Sequence, residues 1–186
     1  KVNILYAPLG ELPKSRILIY VGDDCYSCKL LLDYLFRAGV LFFKYIQVIW
    51  IKNEEEAINW ALENGVNEIP LVVIEGKTIK GSELNIAKEV VRYILENNLI
   101  TQEELYESLR KVVLLNAKYL EEKVGSEIMI NEKIILALMN RIQKLYMPYC
   151  PCRLKLSREN ICPCESSIEE LRNQGYCKCR LFIVKK

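Results

Sequence analysis

The sequence contains no histidine among its 186 residues. This absence excludes metal sites with imidazole ligands, and it removes the side chain that most often moves protons near neutral pH. The chain also lacks any run of about 18 consecutive apolar residues, so no transmembrane helix is predicted. Its N-terminus lacks the basic and then apolar pattern of a secretory signal peptide. We therefore expect a cytoplasmic protein that does not act at a membrane.

A large excess of one charge is also missing. The 26 basic and 24 acidic side chains give a net charge of +2, which argues against a dedicated nucleic-acid binder. Residues 150–186 nevertheless carry eight basic and four acidic side chains. This basic end would suit an acidic electron donor, and it would equally suit an ordinary solvated surface.

Cysteine, by contrast, is abundant and unevenly placed. Six of the eight cysteines lie in the last 37 residues as three Cys-X-Cys pairs: Cys150/Cys152, Cys162/Cys164 and Cys177/Cys179. Four cysteines can hold an iron–sulfur cluster, and the remaining two could make and break a disulfide beside it. Such tight spacing indicates metal or redox chemistry in a reducing cytoplasm rather than the structural disulfides of a secreted protein.

The first half of the chain has the pattern of a small α/β domain. Residues 1–15 contain Pro8, Gly10 and Pro13, and we expect them to form an irregular lead-in. A domain over 16–98 follows, in the order β-α-β-α-β-β-α. The predicted strands are 16–21, 40–51, 71–75 and 78–80, and the predicted helices run from about 26 to 38, 54 to 64 and 83 to 96. Asn53 is the predicted N-cap of the second helix.

A Cys25-Tyr-Ser-Cys28 pair stands where the first strand leads into the first helix. Free N–H groups and the helix dipole favour a thiolate at Cys25, and Cys28 lies one turn along, where it can resolve a mixed disulfide. The charges of Asp23 and Asp24 should oppose thiolate formation. The alternative is a pair of buried, inert thiols.

This order of elements, with a dithiol at a helix start, resembles glutaredoxin and thioredoxin-like domains. The resemblance implies a glutaredoxin-type α/β fold, and it makes Pro70 the cis-proline that aligns a substrate beside the dithiol. Pro70 could instead be a device that starts a strand. Two departures weaken the case for glutathione: Tyr26 stands where glutaredoxins usually have proline, and Lys80-Gly-Ser-Glu83 replaces their Gly-Gly segment.

The second half is predicted to be a mostly α-helical domain over 101–186. The boundary is expected at 97–100, because Thr101 and Glu104 form a capping-box pattern that opens a helix to about residue 124. A second amphipathic helix is predicted at 131–146. After it the chain should form short turns around the cysteines.

The segment 147–182 resembles the catalytic chain of ferredoxin–thioredoxin reductase. The resemblance rests on three stretches: Pro148-Tyr-Cys-Pro-Cys-Arg153, Ile161-Cys-Pro-Cys-Glu165 and Gly175-Tyr-Cys-Lys-Cys-Arg-Leu-Phe182. It implies that a [4Fe–4S] cluster is held by Cys150, Cys162, Cys164 and Cys177. It also implies that Cys152 and Cys179 form the active-site disulfide, with Cys152 as the more exposed, attacking thiol.

One position departs from that family. Lys178 replaces the histidine that the family has between the last two cysteines. Lys178 could donate a proton or stabilise a thiolate as a cation, and it could also be an ordinary exposed lysine.

Together these patterns predict a ferredoxin-dependent disulfide reductase. Electrons would pass from the cluster to the Cys152–Cys179 disulfide, and then to the Cys25–Cys28 pair or to external disulfides. Ferredoxin would be the donor, and a thioredoxin-like, glutaredoxin-like or other disulfide protein the acceptor. Two alternatives remain: a structural zinc module attached to a thiol-redox domain, and an iron–sulfur carrier that hands on its cluster.

Overall fold

The computed structural model describes all 186 residues, and the chain folds into two compact units. The first contains Lys1–Phe36 and Val40–Ile94, and the second contains Arg37–Gly39 and Leu95–Lys186. None of the helices combines the length and the apolar character that a membrane span requires.

The first unit is built on a five-stranded mixed sheet in the order β1-β3-β2-β4-β5. Its strands are β1 (Ile4–Tyr6), β2 (Ile17–Gly22), β3 (Ile46–Ile51), β4 (Leu71–Ile74) and β5 (Lys77–Ile79). Its helices are α1 (Tyr26–Arg37), α2 (Glu55–Glu63) and α3 (Glu83–Glu96). Strand β3 pairs in parallel with β1 and β2, whereas β4 pairs antiparallel with β2 and β5.

The central strands β2 and β3 are buried along almost their whole length. Their continuous runs of β-branched and aliphatic side chains are typical of strands covered on both faces. Helices α1 and α3 each turn one apolar side inward, with Leu31, Leu35, Val90 and Ile94 fully buried. The sheet and its helices therefore hold the end of β2 and the start of α1 in a fixed relation.

Three details of this unit differ from the sequence expectations. Ile4–Tyr6 is not irregular but pairs with β3, because an edge strand of three residues is too short to leave a periodic signal. Strand β3 begins only at Ile46, after turns that bury Val40 and Leu41. The N-cap of α2 is Glu54 rather than Asn53, whose backbone N–H donates to Asp23 Oδ2 at 3.0 Å instead.

The second unit is mostly helical. It contains α4 (Gln102–Val124), α5 (Glu132–Leu145), α6 (Ser167–Gln174) and a two-stranded sheet of β6 (Ile128–Ile130) and β7 (Phe182–Val184). The capping box at Thr101 and Glu104 is present, with both hydrogen bonds 3.0 Å long. Strands β6 and β7 were not expected, since each has only three residues.

Helices α4 and α5 pack on each other through aliphatic side chains. Leu105, Leu109 and Val112 are buried on α4, and Ile135, Leu138 and Ile142 are buried on α5. Beyond α5 the chain has little regular structure, yet Met147, Tyr149 and Phe182 are almost completely buried. These side chains anchor the cysteine-bearing turns to the helical core.

Candidate functional site

The dithiol of the first unit lies at the start of α1. Cys25 and Cys28 form a disulfide, and the Cys28 N–H donates to Cys25 Sγ at 3.1 Å. Cys25 is half-buried and Cys28 is buried. Cys25 is therefore the more accessible of the two sulfurs. An N–H at a helix start favours negative charge on the sulfur that it faces, so a thiolate would be better stabilised at Cys25 than at Cys28.

A groove of about 230 Å³ lies beside this disulfide. Pro70 lines it, and the Ile69–Pro70 peptide bond is cis. The Ile69 carbonyl oxygen lies 3.9 Å from Cys25 Sγ. Ser27 and Glu83 line the groove as well, and hydrogen bonds from the Glu83 backbone N–H and from Ser27 lower the pKa of the Glu83 carboxyl. The groove thus offers polar and apolar surface close to Cys25.

Asp23 is committed to a structural contact in this unit. Its carboxylate accepts hydrogen bonds from the Asn53 N–H at 3.0 Å and from Trp50 Nε1 at 2.8 Å. These two donors, the backbone one first, hold the pKa of Asp23 below its usual range. These two donors partly balance the negative charge of Asp23 and so weaken its opposition to a thiolate at Cys25.

The six cysteines of the second unit differ in their exposure to solvent. Five are buried and Cys152 alone is exposed, and none of the six is in a disulfide. The buried five are Cys150, Cys162, Cys164, Cys177 and Cys179. Lys178 is exposed.

A short backbone bridge brings the first two Cys-X-Cys pairs together. The Cys150 N–H donates to the Asn160 carbonyl at 2.8 Å, and the Cys162 N–H donates to the Pro148 carbonyl at 2.9 Å. These bonds flank an isolated antiparallel bridge. Backbone hydrogen bonds therefore hold the two pairs side by side.

The third pair lies on a tight turn that leads into β7. The Cys177 N–H donates to the Phe182 carbonyl at 3.1 Å, and the Phe182 N–H in turn faces Cys177 Sγ at 3.4 Å. Arg180 closes the turn in the left-handed region at φ 62°. This geometry sets Cys177 Sγ and Cys179 Sγ 3.9 Å apart.

Contacts among the sulfurs join the three pairs into one buried group. The Cys150 sulfur forms hydrogen bonds with Cys164 and Cys179, which lower the pKa of Cys150 strongly. A hydrogen bond with Cys179 likewise lowers the pKa of Cys177. Burial raises the pKa of Cys162, which also interacts electrostatically with Cys177 and Cys150. Cys150 and Cys177 thus favour the thiolate form, which is the form that binds metal, whereas the pKa values of Cys162, Cys164 and Cys179 are raised.

This group of sulfurs is compatible with an iron–sulfur cluster in donor type and number. Thiolates are the protein ligands of such clusters, and five buried sulfurs are present where four are needed. No group of three or more cysteine or carboxylate side chains is placed closely enough to hold a single metal ion as it stands.

An ion pair inside the second unit links the three cysteine-bearing segments. Arg153 Nη2 donates to Ser166 Oγ at 2.7 Å and to Glu170 Oε1 at 2.9 Å. Burial opposes the charge on Arg153, but hydrogen bonds with Cys164 and Glu170 raise its pKa. Glu170 Oε1 also accepts from the Lys178 backbone N–H at 3.3 Å. Neither Arg153 nor Glu170 was predicted as a site residue from the sequence, although Arg153 directly follows the first cysteine pair.

Arg37, which belongs to the second unit, contacts the loop around Cys162. Its Nη1 donates to the carbonyl oxygens of Ile161 at 3.1 Å and Pro163 at 3.2 Å. Its positive charge opposes the rise in the pKa of Cys162 that burial causes. No sequence motif pointed to Arg37, because it lies 124 residues before Ile161 in the chain.

Residues 98–186 match the family model of the ferredoxin thioredoxin reductase catalytic beta chain. None of the curated proteins matches this chain. The ferredoxin thioredoxin reductase catalytic beta chain is an iron–sulfur protein that reduces disulfides. The match therefore indicates an oxidoreductase of the disulfide reductase type, with ferredoxin as donor and thioredoxin as acceptor as the family implies.

The matched region covers one of the two sulfur sites. It includes all six C-terminal cysteines together with Arg153, Glu170 and Lys178. It does not include Arg37 or the Cys25–Cys28 disulfide. In this chain the region that matches the reductase family model thus follows an α/β unit with a disulfide of its own.

Proposed function

We propose that the protein is a ferredoxin-dependent disulfide reductase whose second unit reduces a Cys152–Cys179 disulfide. The carrying observation is that five of six cysteines gather in the interior while Cys152 alone faces solvent, within a region that matches a reductase catalytic chain. A buried ligand set with one accessible thiol is the arrangement that such a reaction needs. The reducing cytoplasm suits this chemistry.

In this proposal Cys150, Cys162, Cys164 and Cys177 hold a [4Fe–4S] cluster. A cluster held there would supply one-electron transfer between ferredoxin and the neighbouring disulfide. Cys150 and Cys177 have lowered pKa values, and Arg37 and Arg153 place positive charge beside Cys162 and Cys164. These groups offset part of the cost of burying a set of negatively charged sulfurs.

Cys152 and Cys179 do the disulfide chemistry. Reduction of their disulfide takes two electrons and two protons and yields two thiols, so two reduced ferredoxins are used. The Cys152 thiolate then attacks a sulfur of an incoming disulfide, which forms a mixed disulfide and releases a thiolate. Cys179 attacks Cys152 in the mixed disulfide, restores the Cys152–Cys179 bond and frees the second thiol of the acceptor. Lys178 is the proposed cation beside this exchange.

We further propose that the first unit is a thioredoxin-like domain of glutaredoxin type and the first acceptor. Its half-buried Cys25 is the sulfur that Cys152 would attack, and Pro70 would align the approaching chain in the adjoining groove. Plant-type ferredoxins lie near about −400 mV, and glutaredoxin dithiols near about −220 mV. That gap is about 8 kcal/mol for two electrons, so electrons flow toward Cys25–Cys28 and from there to external protein disulfides.

The test uses the full chain purified without oxygen. We expect about four irons and four sulfides per chain, and ferredoxin-driven appearance of free thiols at Cys25 and Cys28 in peptide-resolved alkylation. Cys152→Ser should keep the iron and leave the Cys25–Cys28 disulfide oxidised. A preparation without iron would contradict the cluster, and full-rate reduction of Cys25–Cys28 in Cys152→Ser would contradict the relay.

A further inference from the structure

Glu170 occupies a central position among the cysteine-bearing segments. It lies in the first turn of α6, and one of its carboxylate oxygens accepts two hydrogen bonds. One comes from Arg153 Nη2 at 2.9 Å and the other from the Lys178 backbone N–H at 3.3 Å. The Arg153 and Glu170 side chains are only 19% and 20% exposed. Charge-assisted hydrogen bonds are stronger in such partly buried surroundings than in open water.

The two donors belong to the segments that carry the two redox thiols. Arg153 directly follows Cys152, and Lys178 directly precedes Cys179. A single oxygen of Glu170 therefore links the side chain of the residue after one thiol to the backbone of the residue before the other. Neither donor belongs to α6 itself.

We propose that Glu170 is a positioning residue that holds the Cys152 and Cys179 segments together and thereby stabilises the disulfide between their thiols. The inference rests on the proposed function, which makes these two thiols the redox pair. The equilibrium constant for closing a disulfide depends on the effective concentration of one thiol at the other. A link between the two segments raises that concentration, and its loss lowers the equilibrium constant.

Glu169 provides a matched control. It lies beside Glu170 in the same first turn and has the same charge, but it is exposed and makes neither hydrogen bond. Glu169→Ala and Glu170→Ala therefore remove the same charge from the same helix end. Glu170→Gln is a conservative variant, since its amide oxygen can still accept from both donors while the charge is lost.

The experiment poises the full-length, iron-loaded protein in mixtures of reduced and oxidised dithiothreitol without oxygen. Free thiols are alkylated, and mass spectrometry measures the Cys152–Cys179 disulfide separately from the Cys25–Cys28 disulfide. For Glu170→Ala we expect the equilibrium constant of the first disulfide to fall about tenfold or more relative to wild type. Each tenfold change corresponds to about 30 mV for this two-electron couple. The equilibrium constant of this disulfide in Glu170→Gln should lie between those of wild type and Glu170→Ala.

The same samples contain the controls. Iron content and the midpoint of Cys25–Cys28 should stay unchanged in all variants, and Glu169→Ala should match wild type. An unchanged Cys152–Cys179 midpoint in Glu170→Ala would overturn the inference. If Glu170→Ala fails to retain iron, a wild-type midpoint in Glu170→Gln overturns it instead. If wild type showed no Cys152–Cys179 disulfide at any ratio of oxidised to reduced dithiothreitol, the proposed function itself would be overturned.

Discussion

Cys25 and Cys28 lie three residues apart and meet within one turn of the chain, whereas the six C-terminal cysteines come from three separate segments. The first site is local, because Cys25 directly precedes α1 and Cys28 in the first turn supplies both the second sulfur and the N–H that faces Cys25. The second depends on a backbone bridge, a tight turn and an ion pair between segments. A local site and an assembled site should respond differently to substitution, and four changes test that difference.

The largest effect is expected from Cys162→Ser, which removes one proposed ligand. Serine is close to cysteine in size, but its hydroxyl remains protonated and is a poor ligand for iron. We expect loss of most of the iron and of all ferredoxin-driven thiol release. The dithiothreitol midpoint of the Cys25–Cys28 disulfide should not change.

Cys28→Ser is the reciprocal control for this prediction. It should abolish the local disulfide and leave the iron content at the wild-type value. Full iron in Cys162→Ser, measured by colorimetric assay, would show that Cys162 is not a ligand and would weaken the comparison between the two sites.

Gly22→Ala should perturb the local site alone. A Cβ at Gly22 would lie 2.7 Å from the Ile51 carbonyl oxygen and 2.7 Å from Ile69 Cδ1, so the end of β2 or the start of the groove must shift. Such overpacking should lower the free energy of unfolding of the first unit by about 1–3 kcal/mol, and its urea midpoint should fall. Both tryptophans, Trp50 and Trp60, belong to the first unit, so tryptophan fluorescence in urea reports its unfolding.

Gly10→Ala is the matched variant for Gly22→Ala. No atom lies within 4 Å of a Cβ at Gly10, so its urea midpoint should equal that of wild type. Iron content should be unchanged in both variants. Equal urea midpoints for Gly22→Ala and Gly10→Ala would mean that the close approach at β2 has no energetic consequence.

Arg37→Ala should alter the assembled site from a distant point in the sequence. Removing a positive charge from the neighbourhood of Cys162 makes it harder to add an electron to a cluster held there. We expect the reduction potential of the cluster to become more negative by an amount on the order of tens of millivolts. The measurement is a redox titration followed by electron paramagnetic resonance.

Arg37→Lys separates the two contributions of this side chain. It keeps the positive charge but cannot reproduce the guanidinium contacts to the carbonyls of Ile161 and Pro163. We expect a smaller shift than in Arg37→Ala. Identical potentials in wild type and Arg37→Ala would show that the charge does not reach the cluster site.

The same contrast explains which features the sequence revealed. The helix start after Cys25 and the capping box at Thr101 are local patterns, and the capping box is present with both of its hydrogen bonds. The mostly helical second half and the reductase-like cysteine pattern could also be recognised, and the family match supports that region. Three-residue strands such as Ile4–Tyr6 left no signal, because their pairing is set by a partner strand elsewhere.

The parts of the site that were missed are those that depend on tertiary contacts. Arg153 and Glu170 look like ordinary surface charges in the sequence, and only folding places them against one another and beside Cys164. Arg37 is an unremarkable helix-end residue until the chain brings it to the Cys162 loop. Cysteine spacing can suggest a ligand set, but the charges that surround it come from residues with no fixed spacing.

The smallest effect is expected from Thr101→Ala, which removes one half of the capping box of α4. The Thr101 hydroxyl accepts the Glu104 N–H at 3.0 Å, and loss of such a cap costs about 1 kcal/mol. Hydrogen exchange in the peptide at the start of α4 should accelerate about fivefold, since that factor corresponds to about 1 kcal/mol. Thr101→Ser keeps the hydroxyl and should exchange like wild type. Peptides of α1 and the iron content should be unaffected, because the change is confined to one helix end in the second unit. Exchange at the wild-type rate in Thr101→Ala would mean that Glu104 alone holds this helix end.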